Sequence, residues 1–165
     1  MDNQRYEYII NDLIEHKKYV LESCKRMSKY LFEHGQPQLA KDLLRRAFVH
    51  DDSKLDDDEM EKFLELKIKD NPFKNANSLL NDYEKERISV HWKKNRHHPE
   101  YFDNVEDMEE LDILEMVCDW FARSMQYNTD IIEFAMTRQK NRFKFPDYMF
   151  NKILLYCQIL KDTQQ

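Results

Sequence analysis

Glycine is almost absent from this chain. Gly35 is the single glycine among 165 residues, and four prolines accompany it. Tight hairpin turns and the phosphate-binding loops of Rossmann-type folds need glycine, because other residues are strained in their backbone conformations. The chain therefore cannot supply the many turns of a β-sandwich, and a glycine-rich nucleotide loop is excluded. Helices joined by a few connections are the expected alternative.

Apolar residues recur at intervals of three and four, which is the spacing of one face of an α-helix. The clearest run predicts a long helix over Tyr6–Phe32, ended by Gly35. Asp56 and Glu59 have the spacing of a capping box at the start of a later helix. The other helices are predicted at about 38–48, 79–96 and 108–125, from about 130 and from 146. We therefore expect one all-α domain over 1–165, a compact bundle of about six to seven helices with no strand, repeat or linker.

The chain has a formal net charge of -6, from 26 basic and 32 acidic residues. Duplex nucleic acid is not an expected partner, because lysine and arginine neutralise the phosphates in such complexes. No apolar run approaches the roughly 18 residues of a membrane span, and the opening MDNQRYEYII is too polar for a signal peptide. We predict a cytoplasmic protein with no membrane partner, in which Cys24, Cys118 and Cys157 are reduced core residues. Whether the protein forms an oligomer is left open.

A histidine and an aspartate stand together at the predicted end of the second helix. The backbone there can turn the side chains of His50 and Asp51 into one cavity. An imidazole and a carboxylate together suit manganese, iron or zinc. His16 precedes the pair on the first helix, and Asp119 follows it inside the most apolar predicted helix. A carboxylate in that position is costly unless it is paired or coordinated.

Two more acids share a helix face with Asp119. At 100° per residue, Asp112, Glu115 and Asp119 fall within about one third of the helix circumference. Two interpretations are open for Asp112 and Glu115. They either continue an acidic stripe into a site, or face solvent while neighbouring leucines face the core.

The order of these residues resembles the HD-domain metal-dependent phosphohydrolase superfamily. The resemblance is carried by HKKYV from His16, AFVHDDSK ending at Lys54, VHW at His91, HHPE at His97 and LEMVCDWFA around Asp119. It covers about two thirds of the chain, roughly 12–123. It is most similar to short bacterial and phage members, for which the family gives no substrate.

The resemblance implies a site for one or two divalent ions, chosen from Mn, Fe, Zn, Mg and Co. Asp51 is implied to bridge them, and either or both of His97 and His98 are implied to bind the second ion. The full ligand set that it implies is His16, His50, Asp51 and Asp119 for the first ion, and Asp51, His91, His97 and His98 for the second.

Two basic residues are predicted to contact the substrate. Lys54 keeps a lysine that often follows the histidine–aspartate pair in the superfamily, and Arg123 lies one helical turn after Asp119. Together with Asp51 they form the implied catalytic set. Asp12, four residues before His16, is a further ligand or a partner that orients the imidazole.

The implied activity is hydrolysis of a nucleotide or another small anionic phosphate ester or diester by a metal-activated water. HHPEYF is followed by DNVEDM, without the glycine-tyrosine-proline tail of cyclic-di-nucleotide phosphodiesterases, so that substrate is not expected. Two alternatives remain. The same ligands could hold the two irons of an HD-type oxygenase, or the chain could be a non-catalytic metal-binding interaction module.

Overall fold

The computed structural model describes residues 3–65 and 82–163, and the regular secondary structure in these ranges is helical throughout. The longer helices are α1 (Asn3–Glu33), α2 (Pro37–Val49), α3 (Asp57–Glu65), α4 (Asp82–Lys94), α5 (Glu110–Tyr127), α6 (131–143) and α7 (Asp147–Asp162). Short 3₁₀ turns occur at Asp52–Leu55, Pro99–Tyr101 and Val105–Asp107. The predicted all-α bundle of six to seven helices is confirmed. The predicted start of the fourth helix, at 79, lies outside the described residues.

Helix α6 is not a uniform α-helix. A π-helical stretch, Ala135–Gln139, lies between the α-helical segments Ile131–Phe134 and Lys140–Phe143. The backbone stays in the right-handed helical region through both junctions, so the three pieces form one continuous rod. None of the helices in the described ranges is long and apolar enough to cross a membrane.

The connection between α1 and α2 depends on the single glycine. Gly35 has φ +77, in the left-handed region that favours glycine, and it ends α1 as the sequence predicts. The amide of Gln36 then donates to the carbonyl of Leu31 at 2.9 Å, and Pro37 begins α2. The two helices pack against each other along this hairpin.

The apolar core lies between α1, α2, α5 and α7. Seven consecutive residues of α5, from Asp112 to Cys118, are buried, so this helix is covered on nearly all sides. Representative core residues are Val20, Met27, Leu31, Leu43, Leu114, Val117, Phe121 and Ile153. Cys24, Cys118 and Cys157 are buried free thiols, which confirms their prediction as core residues.

Helix α3 begins at Asp57, which confirms the predicted start near Asp56, but the capping-box contact of Glu59 with the Asp56 amide is not formed. The amide of Asp56 donates to the carbonyl of Ser53 at 2.9 Å, so it does not bind the Glu59 carboxylate. Glu59 is instead fully buried, and its Oε2 lies 2.9 Å from Nδ1 of His91 on α4. This side chain therefore points from α3 towards His91.

Candidate metal centre

The end of α2 turns two adjacent side chains into the interior. His50 leaves the helix with φ -54 and ψ 128, and Asp51 follows with φ +59. Aspartate tolerates this left-handed conformation better than most residues do. The amide of Lys54 donates to the Asp51 carbonyl at 3.0 Å and closes the turn. Both side chains are buried in one cavity, as the sequence predicts.

Three elements bring the first group of ligand atoms together. Nε2 of His16, on α1, lies 2.8 Å from Oδ1 of Asp119, on α5. Nε2 of His50 lies 3.8 Å from the same oxygen. Oδ2 of Asp51 lies 4.0 Å from Nε2 of His16 and 3.6 Å from Nε2 of His50. Ligand atoms of His16, His50 and Asp119 lie within 4.8 Å of one another and can surround one cation, and Oδ2 of Asp51 lies beside the two imidazoles.

A second group gathers on the other side of Asp51. Its Oδ1 lies 3.1 Å from Nε2 of His91, on α4, and 3.4 Å from Nε2 of His97. Nε2 of His98 lies 3.0 Å from Nε2 of His91. Ligand atoms of all four residues lie within 4.8 Å of one another. Both His97 and His98, left as alternatives by the sequence, therefore belong to this group.

Asp51 lies between the two groups, with one carboxylate oxygen facing each. Its Oδ1, Nε2 of His50 and Nε2 of His97 are buried and have no hydrogen-bond partner within the described residues. Buried polar atoms without partners are costly, and most are satisfied by a protein group, water or an ion. Imidazole nitrogens and carboxylate oxygens are also the donors that divalent transition metals prefer. The residues present therefore fit a bound cation on either side of Asp51.

Two buried glutamates orient the histidine rings. Oε1 of Glu115 lies 3.0 Å from Nδ1 of His50 and 3.5 Å from Nδ1 of His97. Oε2 of Glu59 lies 2.9 Å from Nδ1 of His91. A metal-binding histidine commonly donates its other ring N–H to a carboxylate in this way, which directs the free nitrogen to the metal. The arrangement thus directs three Nε2 atoms towards Asp51.

The charges around Asp119 keep its carboxylate ionised. Burial acts to raise the pKa of Asp119, but the hydrogen bond from His16 and the neighbouring imidazoles hold that pKa far below its usual range. Burial lowers the pKa of His16 to about 4, and Arg123 acts in the same direction. Burial opposes protonation of His97 too, yet the carboxylates of Asp51 and Glu115 raise its pKa to about 10. Because metal ligands must be deprotonated, a bound cation would release the His97 proton.

Residues 5–159 match the model of a family of unknown function, DUF5662. The chain belongs to this family. The match includes every residue of the histidine and carboxylate cluster. No curated protein and no solved structure matches the chain.

The two basic residues predicted to contact substrate both lie beside the cluster of this DUF5662 protein. Nζ of Lys54 donates to Oδ2 of Asp51 at 2.7 Å, and its buried ammonium lies 5.7 Å from the centre of the Phe63 ring. Nη1 of Arg123 lies 3.6 Å from Oδ1 of Asp12. Asp12 thus pairs with Arg123, and it belongs to neither ligand group among the described residues.

The structure shows whether Asp112 and Glu115 of α5 face solvent or the interior, which the sequence left open. Asp112 and Glu115 are buried, so the solvent-facing interpretation is wrong. His34, the one histidine outside the implied ligand set, lies at the end of α1, where its Nδ1 is 2.8 Å from the carbonyl of Tyr30. The roles of Glu59, Asp112 and Glu115 depend on partners distant in sequence, and helical periodicity alone does not reveal them.

Proposed function

We propose that this DUF5662 protein is a metal-dependent phosphohydrolase that acts on a nucleotide or another small phosphate ester or diester. The position of Asp51 supports this proposal best, because its two oxygens face two separate groups of imidazole nitrogens. A pair of divalent ions held in this way supplies water that ionises near neutral pH and stabilises charge on phosphoryl oxygens.

The donor set narrows the choice of metal. Five imidazoles and two carboxylates form the proposed ligands. Imidazole suits iron or zinc, and carboxylate suits manganese. Magnesium prefers oxygen ligands and retains several waters, so it fits this set less well. The ligands proposed are His16, His50, Asp51 and Asp119 for one ion, and Asp51, His91, His97 and His98 for the other.

Two positive side chains support an anionic substrate. Lys54 is buried against the bridging carboxylate, and Arg123 lies one turn beyond Asp119 on α5. Phosphate oxygens form their strongest hydrogen bonds with such charged donors. Asp119 and His98 are the members of the two ligand groups that keep partial exposure. We therefore propose that the substrate reaches the cluster beside these two side chains.

The test begins with protein purified without chelator. Bound metal is counted, and hydrolysis of p-nitrophenyl phosphate, bis-p-nitrophenyl phosphate and a panel of nucleotides is measured with Mn²⁺. We expect hydrolysis that is lost with EDTA and restored by Mn²⁺. Lys54→Met should reduce turnover while the metal count stays unchanged, because Lys54 is proposed to bind substrate. Lys41→Met, an exposed position on α2, is the matched control and should behave as the wild type.

Two results would overturn the proposal and point to an alternative. Protein that binds metal, hydrolyses none of these esters and consumes oxygen in its iron form would be an oxygenase. Protein that binds metal and does neither would be a non-catalytic module.

A further inference from the structure

One carboxylate contacts a histidine from each ligand group. Oε1 of Glu115 lies 3.0 Å from Nδ1 of His50 and 3.5 Å from Nδ1 of His97. His50 belongs to the group around Asp119, and His97 belongs to the group around His91. The position of Glu115 therefore sets ring orientations on both sides of Asp51. Glu59 differs, because among the described residues its contact with these rings is with His91.

The other oxygen of Glu115 is held from α2. Nη1 of Arg46 donates to Oε2 of Glu115 at 3.1 Å and to Oδ1 of Asp112 at 2.6 Å. Burial acts to lower the pKa of the guanidinium, but the two carboxylates outweigh it and raise that pKa. With one oxygen facing two imidazoles and the other facing an arginine, the Glu115 carboxylate is fixed at both ends.

Asp112 fixes Arg46 in turn. It is fully buried and accepts from Nε and Nη2 of Arg96, at 3.0 and 2.8 Å, in addition to Arg46. Its Oδ2 also accepts from the backbone amide of Glu109 at 3.0 Å. Arg96 directly precedes His97 in the chain. The Asp112 carboxylate thus connects α2, through Arg46, with the start of α5 and with Arg96, the residue before His97.

We infer that Arg46, anchored by Asp112, is a positioning residue that acts through Glu115 on both cation positions. The inference rests on the metal cluster of the proposed function and does not depend on the reaction that the cluster performs. Loss of the Arg46 guanidinium frees Oε2 of Glu115, and the carboxylate can then turn away from His50 and His97. Both groups of Nε2 atoms should lose their alignment together.

The test measures Mn²⁺ binding by equilibrium dialysis, with the bound metal counted per chain. Arg46→Met should weaken Mn²⁺ binding at both positions, by up to the about 10–100-fold expected for loss of Glu115, the direct partner of His50 and His97. Glu59→Gln should weaken one position only. Arg45→Met is the matched control, since Arg45 is the next residue on α2 and pairs with Asp42 at the surface. Arg46→Lys retains the charge, should recover most of the affinity, and serves as the second variant should Arg46→Met fail to fold.

A readout in the metal-free protein separates positioning from general destabilisation. Nitrogen NMR of the imidazoles reports whether His50 carries its proton on Nδ1, the tautomer that the contact with Glu115 favours. That population should fall in Arg46→Met and stay unchanged in Arg45→Met. Wild-type Mn²⁺ affinity in Arg46→Met, or weakening of one position alone, overturns the inference. Wild-type protein that binds Mn²⁺ tightly but hydrolyses no phosphate ester overturns the proposed function and leaves this inference standing.

Discussion

Asp51 has an unusual backbone conformation and a buried charge at the same residue. Its φ of +59 places it in the left-handed region, where a non-glycine residue is strained unless its surroundings hold it. Burial acts to raise its pKa, but the charges of His50, Lys54 and His91 hold that pKa well below the usual range. The side chain is therefore an ionised carboxylate fixed between two groups of nitrogens. Asparagine shares the tolerance of aspartate for the left-handed region, so the charge can be removed without changing the turn.

We expect Asp51→Asn to fold normally and to lose bound metal from both positions, because both groups share this carboxylate. Metal analysis after purification without chelator, together with circular dichroism, measures the two effects. Asp52→Asn is the matched control, since Asp52 is half-exposed and pairs with Lys17 outside the cluster. Full metal loading of Asp51→Asn would refute the role of Asp51 as a shared ligand.

Sequence patterns locate the candidate ligands better than the residues that orient them. The order of the histidines and aspartates is visible in the chain, and the structure brings His16, Asp51 and Asp119 together. Glu59 shows why the orienting residues were missed. It lies three residues after Asp56, as in a capping box, whereas its partner His91 is 32 residues away. A local pattern and a long-range contact predict different roles for one side chain, and the fold decides between them.

At the level of helices, periodicity predicted where α1 lies and that Gly35 ends it. It could not assign the faces of α5, because one side of this helix packs on the core and another lines the cluster. Acids that face a buried polar site have the same spacing as acids that face water. The π-helical stretch Ala135–Gln139 of α6 was not predicted either, since the widened turn has no recognisable residue pattern.

The first turn of α6 depends on an N-cap. Oδ1 of Asp130 accepts from the amides of Ile132 and Glu133 at 2.8 and 3.1 Å, and Oδ2 pairs with Lys161 on α7. We expect Asp130→Ala to lower the free energy of unfolding by about 0.5–2 kcal/mol, measured by urea denaturation. Asp130→Asn is the control. Asparagine is also a good N-cap, so this variant should lose less of the free energy of unfolding.

The same N-cap leads us to a prediction about how stability depends on pH. The hydrogen bond from Lys161, followed by those from the backbone amides, lowers the pKa of Asp130. A carboxyl whose pKa is lower in the folded protein stabilises the fold above its unfolded pKa, and the effect is lost as the pH falls through the folded value. The stability difference between wild type and Asp130→Ala should therefore be full at neutral pH and should shrink below about pH 3.9. A difference that grows in acid would contradict this assignment.

In the molecule as a whole, the apolar core and the metal centre occupy different sides of α5. Core residues such as Leu114, Val117 and Phe121 pack against α1, α2 and α7, while Glu115 and Asp119 face the histidines. Much of the cluster is paired internally, which reduces the cost of burying its charges. We therefore expect the metal-free chain to fold on its core alone. Metal would then add stability to a fold that already exists.

This separation gives a quantitative expectation for thermal unfolding. A ligand that binds only the folded state adds about 2.7 kcal/mol when its concentration is 100 times its Kd. For a chain of this size, 1 kcal/mol corresponds to roughly 2–4 °C, so Mn²⁺ at 100 times the Kd of one position should raise Tm by about 5–11 °C through that position. When both positions bind with that Kd, the rise should be about twice as large. The EDTA-treated protein should still unfold in one cooperative transition, measured by circular dichroism. The Tm of Asp51→Asn should not rise with Mn²⁺, because the carboxylate shared by both positions is gone. An equal rise in that variant would place the bound metal elsewhere, and loss of the cooperative transition in EDTA would show that the core does not fold without metal.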